Sequence, residues 1–280
     1  MAYTSEISRV NPGCFLFILD QSGSMSDPFG GSDAGISKAE ALATAINRLL
    51  ANLIIKCSKD DEVRRYFQVG VIGYGAGVGP ALGGNLAGQE LVWIDEVYAN
   101  PTRVEDRVRK VSDGAGGLIE LPIKFPMWLD AVANNGTPMC QVFSYAHTLL
   151  QAWVAQHPAS FPPVAIHITD GESTDGDPSA LADAVRQLQT EDGNVLLLNL
   201  HLSSRRVPPP IYFPSGEDGL PDQYARLLFQ MSSQLPPYMK QEAQRSGYAV
   251  GETARGFVFQ AGIEDVISFL EIGTRPSNMR

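Results

Sequence analysis

The chain has 280 residues, 44% hydrophobic and 19% charged, with 21 Lys and Arg against 31 Asp and Glu and a formal charge of −10. That length can bury a sizeable core, and the acidic balance argues against a general binder of nucleic acid or anionic membrane. No apolar run approaches the ~20 residues of a bilayer-spanning helix, and the opening MAYTSEISRVNPG lacks an apolar signal core.

In chain order, CFLFILD (14–20) is apolar without alternation, as in a strand covered on both faces in a parallel sheet. From Ser37 a helical period takes over, with Leu42, Ile46, Leu49 and Leu53 on one stripe. YFQVGVIGY (66–74) and ELVWIDEVY (90–98) read as the second and third strands, with a Gly-rich loop or hairpin between them. Residues 101–136 give the weakest signal, a short helix at 103–111 and then loops.

A helix is expected over 140–156, a buried strand at PVAIHITD (163–170), and a helix with Asp177 as its cap and Pro178 at its first position, running to about Thr190. NVLLLNLHL (194–202) reads as a strand, 221–233 and 236–246 as helices, 256–260 as a strand, with a last helix from Ile263. Segment 203–221 holds five prolines and no periodicity; it reads as a surface insertion or, alternatively, a partner-contacting arm. Strands alternating with crossover-length helices predict a doubly wound, mostly parallel α/β sheet. The whole chain, 1–280, reads as one domain with insertions near 75–90, 100–136 and 203–221. Cys14, Cys57 and Cys140, odd in number and widely spaced, read as free thiols in a cytosolic protein.

Two of these buried strands end in Asp. CFLFILD delivers Asp20, followed by Gln21, Ser22, Gly23 and Ser24; PVAIHITD delivers Asp170, followed by GEST. Ligands of open parallel sheets bind beyond the carboxyl ends of the strands, where strand order reverses. If the two strands are neighbours, both carboxylates face one crevice, and Thr137 of NNGTPM adds a hydroxyl from a helix start on the same edge. Each fragment alone is an ordinary turn or cap. Together they form an oxygen donor set suited to Mg²⁺, which prefers hard oxygen ligands and retains water.

DQSGS, Thr137 and TDG (169–171) resemble, in order and separation, the metal-ion-dependent adhesion site of von Willebrand factor A (vWA) domains. The resemblance covers about Cys14 to Leu270 and implies a six-stranded, mostly parallel sheet. It implies that Ser22 and Ser24 bind the metal directly, Thr137 directly or through water, and Asp20 and Asp170 largely through bridging waters. The cation would be Mg²⁺, with Mn²⁺ or Ca²⁺ as alternatives. The chain looks most like the short cytosolic bacterial members, including those associated with tellurite resistance, which implies a non-enzymatic docking module. Its partner would be a protein offering an acidic side chain, in a stress-response or kinase and phosphatase system.

Other motifs are weaker. GGSDAGIS (30–37) has P-loop-like glycines but Ile36 where the Lys must be, and 69–80 contains no G-x-G-x-x-G. His147, His157, His167 and His201 lie on separate elements without zinc spacing, and His167 reads as a core residue. Arg205 and Arg206 read as a solvated pair or, alternatively, as a contact for an acidic partner. The rival function is a metal-assisted phosphohydrolase using Asp20 as nucleophile, but the position two residues on, where a general acid is needed, is Ser22. Nor does Ser22 stand in a nucleophile elbow.

Overall fold

The computed structural model describes residues 3–29, 35–112, 117–203 and 209–262, together with 266, 268, 269, 271 and 272. Arg205, Arg206, the start of the helix expected at Ile263 and most of GGSDAGIS lie outside them.

The first strand, β1 (Gly13–Asp20), is buried along its whole length. Helix α1 (Lys38–Cys57) follows, opened by a capping box in which the Ser37 hydroxyl accepts from the Glu40 N–H and the Glu40 carboxylate accepts from the Ser37 N–H. It leads to β2 (Phe67–Tyr74), which turns into a short antiparallel strand, β3 (Val78–Pro80). The expected third strand at 90–98 is instead a two-residue strand, β4 (Val92–Trp93), running into helix α2 (Ile94–Ala99). Asp95 and Glu96 fall in the first turn of that helix, where carboxylates favour helix over strand, and Glu96 accepts from the Trp93 N–H at 3.4 Å.

The helix expected at 103–111 is also replaced. Strand β5 (Arg103–Ser112) pairs antiparallel with β6 (Leu118–Met127) over ten residues each, forming a separate two-stranded arm. Its charges alternate with period two: Glu105 bridges Arg103 and Arg107 on one face. Helix α3 (Met139–Gln156), strand β7 (Val164–Thr169) and helix α4 (Ser179–Gln187) follow. Asp177 accepts from the Ser179 N–H at 2.9 Å, but the helix opens one residue later than expected, with Pro178 and not Asp177 at its cap, and stops short of Thr190, which enters a small hairpin with Gly193. Strand β8 (Leu196–Leu202) precedes β9 (Ile211–Tyr212), α5 (Gln223–Met231), α6 (Pro237–Arg245) and β10 (Phe257–Ala261).

The sheet has eight strands rather than six, in the order β9-β10-β8-β7-β1-β2-β3, with β4 also on β2. Its centre, β10-β8-β7-β1-β2, is parallel, and the short edge strands are antiparallel. The extra strands come from the inserted segments; part of 203–221 becomes β9, an edge strand.

Successive side chains of β1 point to opposite faces and bury two cores. Phe15, Phe17 and Leu19 pack with Leu42, Ile46, Leu49 and Leu53 of α1. Leu16 and Ile18 pack with Val142, Phe143 and Leu150 of α3 and with Ala182 and Val185 of α4. Helices therefore cover both faces, and strand order reverses at β1 and β7, which places the crevice at the ends carrying Asp20 and Asp170.

Candidate metal centre

Asp20 is the last residue of β1 and is buried at the sheet edge. Its Oδ1 accepts from the Ser22 N–H at 2.8 Å, closing the turn, and its Oδ2 accepts from the Thr169 hydroxyl at 2.6 Å. Burial pushes the Asp20 carboxyl above the usual range, while these donors pull it back. After Ser22 the chain makes a 3-10 turn over Gly23–Ser26, and Met25 inserts into the α1-side core as an anchor for the loop.

The two serines project side by side, Ser22 Oγ and Ser24 Oγ lying 3.0 Å apart. From the neighbouring strand end, Asp170 Oδ1 accepts from Ser24 Oγ at 2.8 Å. Residues 146 positions apart thus meet in one chain of oxygens, with Ser22 and Asp20 buried and Ser24 at the surface.

Thr137 stands on a third loop, immediately before α3, and is buried. Among the described residues no hydrogen bond joins it to Asp20, Ser22, Ser24 or Asp170, but its loop is stitched to both others. The Gly23 N–H donates to the Asn135 carbonyl at 2.8 Å and the Asn134 N–H to the Gln21 carbonyl at 2.6 Å. Asn135 adopts φ of +59°, a left-handed conformation that Asn tolerates better than most residues. On the other side, the Thr137 N–H donates to Thr174 Oγ1 at 2.9 Å, and the Thr174 N–H donates to the Thr137 carbonyl at 2.9 Å.

Asp175, next along, accepts from the Cys140 and Gln141 N–H groups at 2.9 and 3.0 Å. It therefore caps α3 from the Asp170 loop. Burial opposes its ionisation, but these donors and the Ser173 hydroxyl outweigh burial and hold its carboxyl below the usual range.

A residue missed in the sequence completes the site. The Lys38 ammonium, from the first turn of α1, hydrogen-bonds Asp170 Oδ2 and lies 3.6 Å from Asp27. Lys38 is buried, and so is the Asp170 side chain. The available signal was its place four residues before Leu42, at the head of the buried stripe of α1.

The donor chemistry fits a hard divalent cation. Ser22, Ser24 and Asp170 offer adjacent oxygens, and among the described residues the Thr137 hydroxyl has no hydrogen-bond partner. No group of three or more His, Cys, Asp or Glu clusters among the described residues, so this is a hydroxyl-rich set and not a zinc-type set. Cys14, Cys57 and Cys140 are free and none adjoins another. His167, as expected, is a core residue: its ring nitrogens meet Tyr74 Oη at 2.6 Å and Asn199 Oδ1 at 2.8 Å.

No protein-family model matches the chain, and no curated protein sequence is significantly similar to it. Among solved structures, it is similar to the manganese-loaded TRAP protein of Plasmodium vivax, at 13% identity and a TM-score of 0.43, over 95% of this chain and 74% of that one. It is also similar to the three N-terminal domains of the type V pili tip protein Mfa5 of Porphyromonas gingivalis, at 11% identity and a TM-score of 0.33. That match takes in 58% of this chain but only 20% of the Mfa5 chain. The pilus adhesin RrgA of Streptococcus pneumoniae matches at 12% identity and a TM-score of 0.30, over 92% of this chain and 35% of its own. All three are distant likenesses.

Proposed function

We propose that the chain is a docking module that uses a divalent cation at its sheet edge to capture an acidic side chain of a protein partner. The observation that carries this is the oxygen chain Ser22–Ser24–Asp170, assembled from the ends of two neighbouring strands with the Ser24 hydroxyl outermost. Ser22, Ser24 and Thr137 would hold the ion, with Asp20 and Asp170 behind them. When bound, the cation supplies a Lewis-acidic position for a carboxylate from another molecule. Mg²⁺ suits the donors best, with Mn²⁺ or Ca²⁺ as alternatives. The vWA resemblance extends this to an intracellular scaffold of the tellurite-resistance-associated kind, with a kinase or phosphatase system as partner class.

Around that position the chain's own groups do the positioning. Asp20 fixes the turn by accepting from the Ser22 N–H, and Thr169 fixes Asp20. Ser24 orients Asp170, and Thr174 and Asp175 hold the Thr137 loop against the other two. The phosphohydrolase reading has no comparable support: both Asp20 oxygens are engaged by donors, and the carboxylate is buried, which ill suits an in-line nucleophile.

The test is calorimetry of Mg²⁺ and Mn²⁺ binding to the wild-type chain and to Asp20→Ala, followed by capture of partner proteins in Mg²⁺ against EDTA. Binding at one site, lost in the variant with the circular dichroism spectrum unchanged, is the expected result. Capture that survives both the substitution and EDTA removes the cation from the function.

A further inference from the structure

Lys38 is placed where neither helix stability nor solvation explains it. It occupies the first position of α1, where the positive end of the helix dipole disfavours a cation. Its ammonium is also drawn out of water, with a side chain only 5% exposed. The compensation is Asp170, whose two oxygens are divided between Ser24 and Lys38. A buried lysine is thus spent on a carboxylate of the candidate cation site.

The charge count follows. Asp20 and Asp170 carry two formal negative charges and Lys38 one positive, so Lys38 halves the charge of that buried pair, while the largely exposed Asp27, 3.6 Å from the same ammonium, adds a carboxylate on its solvent side. A divalent ion entering beside Ser24 meets a carboxylate already neutralised and a like charge next to it.

We infer that Lys38 is a tethered counter-ion of this site, holding Asp170 in the metal-free chain and competing with a divalent cation for it. This rests on the proposed docking function. Two consequences follow. The three loops stay assembled without metal, because Asp170 is never left as a buried unpaired charge. The site also binds its cation more weakly than its oxygen set alone would, and carries one extra positive charge toward an acidic partner when loaded.

The test compares wild type with Lys38→Met, which keeps the length and apolar stem, and with Lys38→Gln, which can still donate to Asp170. Mn²⁺ affinity is measured by calorimetry, and thermal unfolding is followed in EDTA and in saturating Mn²⁺. The inference expects the Met variant to bind Mn²⁺ about tenfold tighter or more. It also expects a lower unfolding midpoint in EDTA and a larger rise on adding Mn²⁺ than in wild type. If the Met variant fails to fold in EDTA, the Gln variant carries the same comparison. Equal or weaker Mn²⁺ binding by a folded variant overturns the inference and leaves the docking function standing. Absence of Mn²⁺ binding in wild type and variants alike overturns both.

Discussion

The Thr169 hydroxyl donates to Asp20 Oδ2 over 2.6 Å, from the last residue of one buried strand to the last residue of its neighbour. Parallel pairing in register, Leu19 opposite Ile168, brings these two ends level. The bond offsets part of the burial that pushes the Asp20 carboxyl up. Thr169→Val keeps the shape and removes the donor. A hydrogen bond to a charged group contributes about 1.5–3 kcal/mol, so Mn²⁺ affinity at neutral pH should fall at least about tenfold. The loss should deepen as pH falls, because protonated Asp20 no longer helps hold a cation. Calorimetry at two pH values checks this; equal affinities for wild type and variant at both would show that Thr169 does not tune Asp20.

Gly75 stands where two of the site loops cross. A Cβ there would lie 2.6 Å from the Gln21 carbonyl oxygen and 2.7 Å from that of Asn134, both backbone atoms with little room to yield. These carbonyls belong to loops joined by the Asn134 N–H to Gln21 bond. Gly75→Ala is therefore expected to cost about 1–3 kcal/mol in overpacking and to weaken cation binding by parting the loops. Gly77→Ala, with nothing near its Cβ position, serves as the control. Equal urea denaturation midpoints for the two variants would refute the crowding.

Much of this site is legible from residue order because strand ends are local events. CFLFILD and PVAIHITD announce buried strands by continuous apolar residues, and the Asp closing each is positioned by that fact alone. Which strands are neighbours is a topological question, settled only when β7 packs on the β1 flank opposite β2. The arm at 103–127 misleads because its charges also fit helical spacing, and its stability comes from cross-strand pairing ten residues long. ELVWIDEVY misleads for the converse reason: its aromatic and β-branched residues favour strand, yet Asp95 and Glu96 start a helix. Lys38 stays hidden because its partner is 132 residues away.

His167 gives the fold a pH dependence with a definite sign. Its neutral ring accepts from the Tyr74 hydroxyl and donates to Asn199 Oδ1, and burial pushes its pKa down to about 4. Burial likewise lowers His201 to about 4. An unfolded histidine titrates near 6.5, so between that value and 4 the unfolded chain binds more protons. The contribution to stability is complete above pH ~6.5 and is lost toward pH 4, at about 1.4 kcal/mol per pH unit for each histidine. His167→Gln should flatten that slope by one proton, as read from denaturation midpoints across the interval. An unchanged slope would mean that His167 stays protonatable in the folded chain.

Asn47 ties α1 to the segment that leads into the Thr137 loop. Its amide donates to the carbonyls of Ala43 and Leu129 at 2.8 and 2.9 Å, and its Oδ1 accepts from the Trp128 and Leu129 N–H groups at 2.7 and 3.3 Å. The residue is completely buried, between Ile46 and the equally buried turn-mate Leu50 in the chain order of α1, so solvent has no access to replace these bonds. Asn47→Leu conserves volume but strands the Trp128 and Leu129 N–H groups and the Leu129 carbonyl. Each unsatisfied buried group costs about 1–3 kcal/mol, against a modest gain from the apolar side chain, so a net loss of about 3 kcal/mol is expected in urea denaturation. If the Thr137 loop helps hold the ion, the loosened variant binds Mn²⁺ more weakly than wild type, so the loss should be larger in saturating Mn²⁺ than in EDTA. A loss that Mn²⁺ leaves untouched would detach this anchor, and the loop it supports, from the cation site.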